Sequence, residues 1–101
     1  MGRYKQRGVV VRELRTGISI YFIDRQTITV ANTDGFFYTF HCWGVEQRGY
    51  HMNNWRPFRA RLRNYKKLDI YKIYRLARRF EVDTIVSVRP PQLDKEIVEK
   101  D

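Results

Sequence analysis

The chain has 101 residues, the size of one domain. At 43% apolar and 15% aromatic it can build a core, which excludes a disordered basic tail. Twenty Lys and Arg against eleven Asp and Glu leave a net charge of +9, which points to a polyanionic partner and says nothing about fold.

The longest run without a charged side chain, Gly35 to Val45, is 11 residues, against about 20 for a bilayer span, so no membrane association is expected. The N-terminus is basic, but only Val9 to Val11 follow before Arg12 and Glu13, too little for an export signal. Cys42 stands alone and cannot close an internal disulfide. The expected location is intracellular, in a cell or a virus-infected one.

In chain order, residues 9–43 read as antiparallel strands. Ile18, Ile20 and Phe22, then Ile28 and Val30, then Tyr38 and Phe40 alternate with polar or aromatic neighbours. Thr16-Gly17, Asp24-Arg25 and Asp34-Gly35 mark the turns. Parity refines the last one: a three-residue loop Thr33-Asp34-Gly35 pairs Val30 with Tyr38 and Ile28 with Phe40, keeping the apolar set on one face, whereas a two-residue loop splits it. Gly44 to Trp55 reads as a long loop. Phe58, Ala60 and Leu62 then alternate with Arg59, Arg61 and Arg63, the pattern of a strand with three arginines on one face. Asp69 is a candidate N-cap for a helix to about residue 80, with Ile70, Ile73, Tyr74, Ala77 and Phe80 at helical spacing. Thr84 to Val88 is β-branched and reads as a closing strand. The fold expected is one α+β domain over residues 1–91, an antiparallel, meander-type sheet of five to six strands with one main helix on one face, and residues 92–101 as a short acidic tail or frayed helix.

The charge is localised. Residues 48–79 carry 11 basic side chains, Lys72 among them, against one acid, Asp69. Aromatics interleave with them: Tyr50, Trp55, Arg56, Phe58, Arg59, Arg61, Arg63, Tyr65, Lys66, Lys67. Cations meet successive phosphates and flat rings stack on bases, and arginine does both. The function expected is non-catalytic binding of DNA or RNA. Arg48, Arg56, Arg59, Arg61, Arg63, Lys66, Lys67, Arg75, Arg78 and Arg79 meet phosphates, and Tyr50, Trp55 and Trp43 stack. The sheet face away from the helix, with Tyr21, Phe37 and Trp43, is either a second stacking platform or an interface between copies.

Other chemistries have less behind them. His41 and Cys42 point to opposite faces of a regular strand and, with His51, make no metal-ligand spacing, so no metal or cofactor is expected. A nuclease site built on Glu46 and His51 is the enzymatic alternative. A basic module that binds or inhibits an acidic protein is the other. Leu76 to Asp83 resembles the middle of a helix-turn-helix, but Glu81 stands where a turn glycine is usual and Pro90 would stop the second helix early, so the strand reading is preferred.

Overall fold

The computed structural model describes residues 8–41, 52–93 and 95–100. Four strands come first, β1 (Val9–Glu13), β2 (Ser19–Asp24), β3 (Thr27–Ala31) and β4 (Phe37–His41). Two helices follow, α1 (Met52–Asn64) and α2 (Ile70–Arg79), then β5 (Asp83–Ser87) and β6 (Glu96–Lys100). The strands form one sheet in the order β5-β4-β3-β2-β1-β6. It is an α+β domain with a mixed sheet: every neighbouring pair is antiparallel except β1 and β6, which run parallel.

The hairpins follow from turn chemistry. Between β1 and β2, Leu14 N–H donates to the Ile18 carbonyl (3.0 Å) and Gly17 N–H to the Leu14 carbonyl (3.0 Å). Between β3 and β4, Asn32 and Gly35 repeat that pattern with Phe36 and Asn32 at 3.0 and 3.2 Å. Both are three-residue loops closed by a glycine at positive φ, +90° at Gly17 and +88° at Gly35. The Asn32 carboxamide oxygen accepts from Asp34 and Phe36 N–H and braces the second loop. The β3–β4 register pairs Val30 with Tyr38 and Ile28 with Phe40, as the three-residue loop requires. Between β2 and β3 the turn is Arg25-Gln26, one residue on from the expected Asp24-Arg25, because Asp24 still pairs with Thr27 and its carboxylate accepts the Gln26 N–H at 2.8 Å.

This register gathers Ile20, Phe22, Ile28, Val30 and Phe40 on one face, where both helices pack. Trp55, Phe58 and Leu62 from α1, Leu68 from the connection, and Ile73 and Ala77 from α2 close the core, each at most 1% exposed. Full burial of one such large side chain contributes about 1.5–3 kcal/mol.

Four expectations are corrected. Met52 to Trp55, expected as the end of a long loop, are the first turn of α1. Residues 58–63 are helix, not strand: the side chains that bury are Trp55, Phe58 and Leu62, at spacings of three and four, while Ala60 is exposed. Pro57 inside α1 removes a helical hydrogen bond and costs about 3 kcal/mol, but the three buried side chains outweigh it. There are accordingly two helices, not one. Residues 96–100 are neither tail nor frayed helix but an edge strand parallel to β1, so the sheet is not a pure antiparallel meander. The second helix of a helix-turn-helix is also not formed, since Asp83–Ser87 pairs with β4.

The expected helix and closing strand are present. The Asp69 carboxylate accepts from Lys72 N–H at 2.8 Å and caps α2. The helix ends in a reverse turn in which Glu81 N–H bonds the Arg78 carbonyl and Val82 N–H the Ala77 carbonyl, with Glu81 at φ 57°.

Candidate nucleic-acid interface

A helix turns 100° per residue, so Arg59, Arg61 and Arg63 cannot share a face as alternate strand residues would. Arg59 and Arg63, four apart, both lie over the Phe22 ring, with guanidinium carbons 5.4 and 5.3 Å from its centroid. Arg59 also donates to the Asp24 carbonyl at 2.5 Å, next to the turn whose Arg25 carbonyl accepts the Trp55 indole N–H at 2.6 Å. These two contacts pin α1 to the β2–β3 turn. Arg59 is therefore engaged in the fold.

Arg61 points elsewhere, along α1 to Tyr65, whose hydroxyl accepts from its Nη1 at 2.9 Å. There it meets α2. The seating of α2 is set by Ile73 and Ala77 in the core and by Tyr74, which packs edge-on against Tyr38 with ring centroids 5.2 Å apart. Burial first, and then the neighbouring Tyr38, hold the Tyr74 hydroxyl pKa above the usual tyrosine value. With that side turned inward, the outer side presents Lys72, Arg75, Leu76 and Arg79, spaced three, four and seven residues from Lys72.

Between the two helices lies an open cleft of about 260 Å³ lined by Arg61, Tyr65, Leu68, Lys72, Arg75, Leu76 and Arg79. Its floor is apolar, from fully buried Leu68 and half-buried Leu76. Its rim carries four cations, and among the described residues no carboxylate lies within ion-pair distance of any of them. Lys66, Lys67, Arg56, Arg63 and Arg78 are exposed on α1, α2 and the connection between them. The chemistry suits an anion that also has a flat or apolar part.

The structure thus gathers Arg61, Arg75 and Arg79 and adds Lys72 and Tyr65, which the sequence reading left out of its candidate site. The signal for Lys72 was legible, since 72, 75 and 79 share one stripe of a helix already expected at 69–80. Trp55, expected to stack on bases, is a core residue 1% exposed and has no face free for one. Tyr21 and Phe37 are half-buried on the opposite side of the sheet from both helices. Burial and the nearby carboxylates of Glu96 and Glu13, in that order, raise the Tyr21 pKa, and those carboxylates repel a phosphate. Arg48, Tyr50, Trp43, Cys42, Glu46 and His51 lie outside the described residues. Among the described residues no group of three or more His, Cys, Asp or Glu gathers where it could hold a metal ion.

Compared with protein-family models, curated proteins and solved structures, the chain finds no match in any of the three.

Proposed function

We propose that the chain is a non-catalytic nucleic-acid-binding protein whose contact surface is the outer side of α1 and α2. The observation that carries this reading is the convergence of Arg61, Lys72, Arg75 and Arg79 on one cleft with no carboxylate among the described residues within ion-pair distance of any of them. Four like charges around a concavity repel one another, and a polyanion relieves that repulsion while releasing its own condensed counterions. Exposed Lys66, Lys67 and Arg78 extend the positive surface beyond the cleft, as contact with successive phosphates needs.

The measurement is oligonucleotide affinity as a function of salt. Binding weakens steeply between low and physiological salt. Lys72, Arg75 and Arg79 changed together to Ser weaken it further and reduce the slope of log affinity against log salt by roughly 2–3, close to 0.7–0.9 per phosphate contact removed. All three side chains are exposed on α2, so folding is retained. Affinity that ignores salt, or an unchanged slope in the triple variant, rules the reading out.

A further inference from the structure

We infer that the cleft between α1 and α2 seats one unpaired nucleotide of a single-stranded nucleic acid, its base on the ring of Tyr65 and its phosphates between Lys72, Arg75 and Arg79. This rests on the nucleic-acid reading above and names the form of nucleic acid that the site takes. The first support is shape. At about 260 Å³ the cleft is smaller than the roughly 300–1,000 Å³ of drug-sized ligand sites, which is room for a base or a sugar-phosphate. A duplex keeps its bases stacked inside a convex rod and cannot deliver one into a concavity, whereas an unpaired strand can.

The second support is the distribution of chemistry within the cleft. Leu68 and Leu76 give an apolar floor, and the cations stand at the rim. A single phosphate alone needs no apolar floor, while a nucleotide presents a flat base and an anion side by side. The third is Tyr65 itself. The residue is 43% exposed although its hydroxyl is held by Arg61. The Arg61 guanidinium carbon lies over the ring, 5.7 Å from its centroid, as Arg59 and Arg63 lie over Phe22. Arg61 thus covers one face of the ring, and the base stacks on the other. Arg61 is a positioning residue for the ring, which is fixed before a base arrives and so loses little freedom on binding.

The test is fluorescence anisotropy with a labelled oligothymidylate of roughly twelve nucleotides, within the site sizes of single-strand binders, and with the same strand annealed to oligodeoxyadenylate. The single strand binds at least about fivefold more tightly than the duplex at equal salt. Tyr65→Ala weakens single-strand binding by about five- to a hundredfold, the range for losing one base stack, and leaves duplex binding unchanged. Tyr65→Phe keeps the ring and loses far less. Because Tyr65 is outside the core, an unchanged thermal transition shows that Tyr65→Ala is folded. Equal affinity for the two forms, or a Tyr65→Ala variant that binds the single strand as the parent does, overturns the nucleotide site. The phosphate-contact reading would survive that result if the Lys72, Arg75 and Arg79 variant still flattened the salt slope. Salt-independent binding of both forms would overturn the two together.

Discussion

Gly17 and Gly35 hold the same position in two three-residue hairpin loops, and their φ angles differ by only a few degrees. Their surroundings differ. A Cβ on Gly17 would come within 2.8 Å of the Thr33 methyl, while one on Gly35 would meet nothing within 4 Å. Gly35→Ala therefore bears only the backbone cost of a positive φ, about 1–2 kcal/mol, and Gly17→Ala bears that plus the displacement of Thr33, roughly 1 kcal/mol more. Denaturant unfolding of the two variants checks the order, and Thr33→Ser in the Gly17→Ala background recovers most of the excess. Equal costs would show that the two hairpins do not press on each other. Alternate arginines carry a related lesson. The spacing of Arg59, Arg61 and Arg63 suggested one shared face, and the helix instead assigns two of them to Phe22 and one to the cleft.

At the scale of elements, what was legible in the sequence tracks how local the deciding contacts are. β2, β3 and β4 were readable as strands, and the β3–β4 register with them, because turn residues and period-2 alternation lie within a few residues of one another. α2 was readable because its cap and its apolar stripe belong to the same segment. α1 was not. Within residues 58–63 the pattern Phe-Arg-Ala-Arg-Leu-Arg fits a strand, and Pro57 argues against a helix; only Trp55, three residues upstream of Phe58, completes the helical stripe. If tertiary burial holds α1 against its proline, Pro57→Ala stabilises the protein by about 2 kcal/mol, the helix penalty of about 3 less up to about 1 from the looser unfolded chain. A rise in the denaturation midpoint with an unchanged slope confirms this. No gain would mean that the proline ring itself contributes packing equal to the lost bond. β6 was missed for a different reason. Its partner β1 is more than eighty residues away, and nothing within Glu96–Lys100 reports a parallel neighbour.

Across the whole molecule, β5 and β6 lie at opposite edges of the sheet, so the chain from Val88 to Lys95 must pass from one edge to the other. Five strand spacings of about 4.8 Å need roughly 24 Å, close to the limit of eight extended residues, which suits the stiff Pro90-Pro91 pair. Every residue of β6 is exposed, and Val9 N–H on the Lys95 carbonyl at 2.8 Å helps to join it to β1. The Lys100–Glu13 pair, at 3.7 Å and largely exposed, adds at most about 1 kcal/mol. In native-state hydrogen exchange the β6 amides therefore open first among the strands, and those of β3, where Ile28 and Val30 are wholly buried, open with the global transition. Equal protection of β6 and β3 would show that the edge strand belongs to the cooperative core.

Charge shows the same division. The sequence by itself determined that cations crowd residues 48–79, that residues 9–41 form antiparallel strands with β3 and β4 in a particular register, and that a capped helix starts at Asp69, because each follows from residues close along the chain. Only the tertiary structure decided that residues 58–63 are helix, that β6 closes the far edge, and that Arg61 faces Lys72, Arg75 and Arg79 across a cleft while Tyr21 lies among carboxylates on the other side of the sheet. A surplus of charge is a property of composition. A site is a property of which surfaces the core leaves outside, and that is settled when the apolar side chains of distant segments bury against one another.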